Sequence, residues 1–166
     1  MANPSGGYGF APVGNVNGGP YNGAGSADGY PEVTLAAATD APFGVITGIE
    51  AIPTNLEANN YRPASTTAYM RMAPVDGTKF KVRMNGSGTS NEALIGSTTI
   101  YVVAAGSTVT GLSGILLSAT DAGTSAADEV RIIGMVDRAD NDISIADPEA
   151  IVMFNASQVD LGAVGV

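Results

Sequence analysis

The stretch Lys79-Phe80-Lys81-Val82-Arg83-Met84 carries the clearest structural signal in the chain. Its three apolar residues alternate with its three basic residues. Successive side chains of a strand point to opposite faces of the sheet, so this period of two predicts a half-buried strand. Pro74-Val75-Asp76-Gly77 before it and Asn85-Gly86-Ser87-Gly88 after it are typical of turns.

Similar signals recur along the rest of the chain. Ile and Val number 26 against 7 Leu, and β-branched residues favour the pleated surface of a sheet. The spacing predicts all-β structure, a small β-barrel or β-sandwich of roughly eight short strands. We expect one helical turn near 91–94 or 147–150, and a loop over 51–65. Besides 79–84, the predicted strands are 33–36, 43–50 (whose glycines indicate a bulge or a close backbone approach), 67–73, 98–104, 112–117, 129–136 and 151–155.

Residues 1–31 differ from the remainder in composition. They hold nine Gly, four Pro and one charged residue, Asp28. A Gly/Pro-rich terminus is often a disordered tail, but aromatic residues in polar surroundings are good anchors on a partner surface. We therefore predict an extended Gly-rich N-terminal arm, 1–31, that lies on another subunit or protein, and a single all-β domain, 32–166. The expected anchors in the arm are Tyr8, Phe10, Tyr21 and Tyr30.

The residue inventory excludes most catalytic chemistry. The chain has no His, Cys or Trp, which removes imidazole bases, thiolate nucleophiles and the usual zinc ligands. The acidic stretch 137–142 lacks the Gly and the distal Glu of a calcium loop, so a polar turn is expected there. Gly7-Tyr8-Gly9 is not followed by the third Gly of a dinucleotide site. We expect no enzyme, no metal and no cofactor.

Charge is unevenly distributed in the chain. The net charge of −9 disfavours binding to nucleic acid or to an anionic membrane, and the apolar runs are too short to span a bilayer. Nine of the sixteen acids follow residue 120. The bases of the middle segment either solvate strand faces or meet an acidic patch on a partner or on the next copy of the chain. These candidate partner-binding bases are Arg62, Arg71, Lys79, Lys81 and Arg83.

Five segments of the chain are rich in Gly and turn residues. They are Ala2-Asn3-Pro4-Ser5-Gly6-Gly7-Tyr8, Asn17-Gly18-Gly19-Pro20-Tyr21-Asn22-Gly23, Phe43-Gly44-Val45-Ile46-Thr47-Gly48, Tyr61-Arg62-Pro63-Ala64-Ser65-Thr66 and Arg131-Ile132-Ile133-Gly134-Met135-Val136-Asp137-Arg138-Ala139-Asp140-Asn141. These segments resemble small structural proteins of tailed-bacteriophage virions, of the head-decoration or capsid-cement kind. Where that family usually has a Pro, this chain has Ala139, and its arm has fewer bases. The resemblance implies an all-β body attached outside the capsid lattice, with no catalytic residues.

The expected function is therefore structural. A decoration protein binds the outer surface of an assembled head and bridges neighbouring major capsid subunits, with the arm on adjacent subunits. The expected location is the virion, after synthesis in the host cytoplasm, and a homo-oligomer is expected, a trimer rather than a dimer. The alternatives are a tail or fibre subunit and a carbohydrate- or cell-surface-binding β module, although the lack of Trp disfavours the last.

Overall fold

A computed structural model describes residues 11–12, 20–24, 32–37, 40–49, 69–85, 91–107, 109–110, 112–144 and 146–155. This part of the chain forms eleven strands in two sheets and one 3₁₀ turn, Asn91–Leu94, so the all-β prediction is confirmed. The strands are β1 (Ala11–Pro12), β2 (Pro20–Ala24), β3 (Glu32–Leu35), β4 (Gly44–Ile49), β5 (Met70–Pro74), β6 (Phe80–Asn85), β7 (Thr98–Thr99), β8 (Tyr101–Val102), β9 (Leu116–Ser118), β10 (Val130–Met135) and β11 (Glu149–Phe154).

The first sheet has seven strands and is rolled into a small barrel. Its strand order is β7-β10-β11-β6-β9-β8, with β1 paired to the start of β6. β7 and β8 stand at opposite ends of this order, yet only Ile100 separates them along the chain. Since consecutive Cα atoms are about 3.8 Å apart, the two ends of the sheet must lie together. The prediction of one strand over 98–104 is wrong in this respect, because the chain breaks at Ile100 to close the barrel.

β6 occupies the middle of this barrel, as the alternating stretch predicts. Phe80, Val82 and Met84 are buried with at most 2% exposure, which confirms the apolar inner face. β11 pairs antiparallel with β6 over residues 80–83, and β9 pairs parallel with it from Met84 onward. The central position explains why three consecutive inward side chains are all buried.

The second sheet has four antiparallel strands in the order β3-β2-β4-β5. A side chain at Gly44 would place its Cβ 2.8 Å from the Ala73 carbonyl oxygen, so glycine allows the close approach of β4 to β5. The register shifts between Ile46 and Gly48, which confirms the predicted bulge. β1 and β2 come from the predicted arm, and both pair with strands of the chain's own sheets.

One cluster of buried side chains joins the two sheets. Ala36, Val45 and Val75 belong to the second sheet and its flanking turns, and they share this cluster with barrel residues. Phe80 and Phe154 meet edge to face with ring centroids 5.6 Å apart. Because the cluster draws on both sheets, packing of each sheet stabilises the other.

The predicted turns have different outcomes. The helical turn at 91–94 is confirmed as a 3₁₀ turn, whereas the alternative at 147–150 is wrong. Asp147 has a φ of 59°, which interrupts any helix there, and β11 begins two residues later. The predicted loop over 51–65 lies outside the described residues.

Candidate interaction surface

The predicted aromatic anchors lie largely beyond what the structure describes. Tyr8, Phe10 and Tyr30 are outside the described residues. Tyr21 lies in β2, where its backbone is opposite Leu35 of β3. Binding of a partner by these four aromatic residues therefore stays a prediction.

Three of the predicted basic residues are presented on the surface. Arg71 is exposed on β5, an edge strand of the second sheet. Lys79 is exposed just before β6, and Lys81 is half-buried opposite Ile151 of β11. Within the described ranges no ion pair involves these three bases. Arg62 lies outside the described residues.

Arg83 is placed differently from the other bases of β6. The alternation of residues 79–84 predicts that the Arg83 side chain faces solvent. This prediction is wrong, because Arg83 is only 8% exposed. Its Nε donates to the Asp147 carbonyl oxygen at 3.2 Å, and its Nη2 lies 3.9 Å from Asp147 Oδ2. The turn before β11 thus covers Arg83 and binds it within the chain.

Asn141 closes the β10–β11 connection, although it is not among the site residues that the sequence predicts. Its Nδ2 donates to the carbonyl oxygens of Val136 at 2.8 Å and of Glu149 at 3.1 Å. Its Oδ1 accepts the Glu149 backbone N–H at 2.7 Å. The sequence does not indicate that this Asn is buried, because the atoms it binds belong to the main chain of Val136 and Glu149 and any residue type supplies them.

Two acids of the stretch 137–142, Asp140 and Asp142, bond to neighbouring residues. Asp140 pairs with Arg138, and Asp142 Oδ1 accepts from the Ser144 hydroxyl at 2.6 Å and from its backbone N–H at 2.9 Å. These hydrogen bonds hold the pKa of Asp142 below its ordinary value, the hydroxyl more than the amide. The stretch is a polar turn, as the sequence predicts.

Two hydroxyl–carboxylate pairs join β7 and β9 to the loop between β9 and β10. Ser118 Oγ is 2.6 Å from Asp121 Oδ2, and Thr98 Oγ1 is 2.8 Å from Asp128 Oδ2. Thr98 Oγ1 is also 2.7 Å from the Ser125 carbonyl oxygen. A Ser or Thr nucleophile needs an adjacent proton acceptor aligned toward substrate, and these hydroxyls are instead engaged with loop groups. Their geometry suits holding the 118–128 loop on the barrel.

An open, apolar groove of about 510 Å³ runs between the two sheets. β3 is one edge strand of the second sheet, and β8 stands at one end of the strand order of the first. The exposed fractions of Leu35, Val102 and Val103 are 50%, 37% and 38%. We call this feature the apolar groove; its lining is Leu35, Ala36, Ala37, Ile100, Tyr101, Val102 and Val103.

Tyr101 lies in the wall of the apolar groove and ties the two sheets together. Its hydroxyl donates to the carbonyl oxygens of Ala37 at 2.5 Å and of Asp40 at 3.3 Å. Asp40 Oδ2 accepts the Ala37 backbone N–H at 2.9 Å, which closes the turn after β3. Burial, then the charges of Glu129 and Asp40, raise the pKa of the Tyr101 hydroxyl, so it stays a neutral donor.

Glu129 is the buried acid beside this tyrosine. It is 5% exposed, and its Oε2 has no hydrogen-bond partner among the described residues. Burial is the main cause that raises the pKa of Glu129 above its ordinary value. A carboxyl group that is removed from water in this way favours its protonated form.

Comparison with known protein families, with curated protein sequences and with solved structures gives no match to this chain. The resemblance to capsid-cement proteins therefore stays a prediction. Among the described residues, no helix has the length and apolar character needed to cross a membrane. In the part of the chain that the structure describes, the exposed bases and the apolar groove are surface features available for binding.

Proposed function

We propose that the protein is a capsid decoration protein of a tailed bacteriophage. It binds the outer surface of an assembled head and bridges neighbouring major capsid subunits. The observation that carries the proposal is the exposure of two bases, Arg71 on β5 and Lys79 just before β6, in a chain with a net charge of −9. Bases presented on an otherwise acidic protein favour docking on an acidic patch of a partner or of a second copy.

The body suits a load-bearing role. The barrel and the second sheet share one buried core, and Tyr101 adds hydrogen bonds between them. A protein that holds shell subunits against outward pressure needs a body that keeps its shape when pulled at several points. The five family-like segments, 2–8, 17–23, 43–48, 61–66 and 131–141, support the same role by resemblance.

The N-terminal arm supplies additional contacts. Tyr8 and Phe10 stand two residues apart in a Gly-rich segment that precedes β1. An extended segment of this kind can follow a neighbouring subunit while its aromatic side chains fill pockets. Several weak contacts to one lattice give the protein a far higher total affinity than each contact gives alone. A trimer would increase the number of such contacts further.

Immunogold electron microscopy of intact virions tests the proposal. Antibodies raised against the purified chain should label the head surface evenly, and heads separated from tails should retain the label. Label confined to the tail or to fibres would overturn the proposal and favour another structural role in the virion. Absence of the chain from purified virions would overturn both.

A further inference from the structure

The turn before β11 contains the one Asp-Pro peptide bond of the chain, between Asp147 and Pro148. Asp147 has a φ of 59°. This left-handed conformation is uncommon for a residue with a side chain, and a residue before Pro ordinarily takes an extended conformation. A strained conformation of this kind persists only where the surrounding structure imposes it, and such residues are concentrated at functional sites.

Hydrogen bonds to β6 hold both sides of this peptide bond in place. Arg83 Nε donates to the Asp147 carbonyl oxygen at 3.2 Å. The Pro148 carbonyl oxygen accepts the Met84 backbone N–H at 2.9 Å. The next residue, Glu149, begins β11 and lies opposite Arg83 in the sheet. The surrounding strands therefore impose the conformation of Asp147.

The carboxyl group and the carbonyl group of Asp147 face the same guanidinium group. Asp147 Oδ2 lies 3.9 Å from Arg83 Nη2, and the carbonyl oxygen accepts from Nε of the same side chain. Because Nε and Nη2 are neighbouring nitrogens of one planar group, the two Asp147 groups are held on the same side of the residue. A hydrogen bond from a cation polarises a carbonyl group and stabilises the negative charge that develops on its oxygen during nucleophilic attack.

We propose that the chain cleaves itself between Asp147 and Pro148 in acidic solution. A carboxyl oxygen of Asp147 attacks the carbonyl carbon of the same residue, which forms a five-membered cyclic anhydride and breaks the bond to the Pro148 nitrogen. The carboxyl proton passes to that nitrogen, which leaves as a secondary amine. Water then hydrolyses the anhydride, so the products are a carboxyl-terminal Asp147 and an amino-terminal Pro148, with one water consumed.

The folded chain favours this reaction over the unfolded chain. Arg83 is only 8% exposed, so little water screens its charge from the reacting carbonyl group. The fixed turn keeps the carboxyl group beside the carbonyl carbon, which raises its effective concentration. β11 is paired with both β6 and β10, so the fragment that begins at Pro148 stays in the barrel after cleavage. The reaction is independent of the capsid role, because it needs no partner.

Mass spectrometry of the purified full chain tests the proposal. The chain is incubated, with and without guanidinium chloride, in the most acidic buffer in which circular dichroism still shows the folded protein. We expect fragments 1–147 and 148–166, whose masses together exceed the intact mass by one water. The unfolded chain keeps only the intrinsic reactivity of an Asp-Pro bond, so the folded chain should react roughly 10–100-fold faster. No cleavage, or equal or slower cleavage of the folded chain, would overturn the proposal.

Three substitutions separate the contributions of the groups. Asp147→Glu keeps the acid but enlarges the ring that the attack must form, so its cleavage should fall to the rate of the unfolded chain. Arg83→Lys keeps a cation but loses the Nε–H, so it should react more slowly while still folded. Asp137→Asn, at an exposed acid of the β10–β11 connection, is the matched control and should cleave like wild type. Cleavage at the wild-type rate in Asp147→Glu, or in folded Arg83→Lys, would contradict the proposed reaction.

Discussion

At the scale of single residues, Tyr101 shows how one side chain joins two sheets. Its hydroxyl reaches the Ala37 carbonyl, 64 positions away in the sequence, while its ring packs near Phe154 in the core. A Tyr at the start of an apolar run gives the same sequence signal as any core residue. Neither Tyr101 nor Glu129 could be singled out before the fold placed them together.

Replacing Tyr101 by Phe should lower the free energy of unfolding by about 1–2 kcal/mol, because two carbonyl groups lose their shared donor while the ring still fills its place. Urea denaturation measures the change, and the slope of the transition should stay constant. Tyr69→Phe, at a residue 66% exposed, is the matched control and should stay within about 0.5 kcal/mol of wild type. Equal effects of the two substitutions would contradict the role given to Tyr101.

Glu129 gives stability a defined dependence on pH. Its pKa in the folded protein lies above the ordinary value of 4.5, so the folded protein binds this proton more tightly than the unfolded chain. The stabilising contribution is complete below that ordinary value and is lost as the pH rises through the folded-state value.

Glu129→Gln should therefore lose less stability than wild type when the pH rises from about 4.5 to about 7, because the Gln side chain stays neutral. Urea denaturation at both pH values measures this difference, with Asp76→Asn in an exposed turn as the charge control. An unchanged pH dependence in Glu129→Gln would show that Glu129 is not the responsible group.

At the scale of elements, local patterns predict strands well and their pairing poorly. The alternation of 79–84 is sufficient for β6, because a period of two specifies both the strand and its buried face. Arg83 departs from that pattern through a turn more than sixty residues away, which no local pattern contains. The break at Ile100 likewise depends on barrel closure. Of the candidate site, the exposed bases follow from the sequence, whereas the groove requires two distant strands.

Gly114 tests the β8–β9 hairpin, which carries one wall of the apolar groove. A Cβ at Gly114 would collide with the Ala105 carbonyl oxygen, so Gly114→Ala must displace backbone. We expect a loss of about 1–3 kcal/mol in the free energy of unfolding. Gly48→Ala is the matched control, because a Cβ there meets nothing within 4 Å. Thermal or urea unfolding that ranks Gly48→Ala as the more harmful change would contradict the described hairpin.

At the scale of the whole molecule, charge and shape together favour attachment to a large acidic or mixed surface. Seven bases face sixteen acids, and Arg71 and Lys79 remain exposed while Arg83 is bound within the chain. The body combines a barrel, a second sheet and a shared core. These properties suit a structural protein that binds and bridges other subunits, which is the role we propose.

If the exposed middle bases contact the lattice, Lys79→Glu should weaken binding to heads roughly threefold to tenfold, because an exposed ion pair contributes about 0.2–1 kcal/mol and the reversed charge adds repulsion. The loss should shrink at high salt. Arg131→Glu, an exposed base on β10 outside the predicted set, is the control and should bind like wild type. A larger loss in the control would place the contact on a different face.

Co-sedimentation with assembled heads is the most direct measurement of the central claim. Purified full-length protein is mixed with heads of the encoding phage that lack it, and bound protein is quantified after centrifugation through a sucrose cushion. The account predicts saturable binding at a fixed ratio to the major capsid protein. Heads that carry the bound protein should also resist disruption by heat or by dilution of salt better than heads without it. Protein that stays in the supernatant at every concentration, with unchanged head stability, would contradict it.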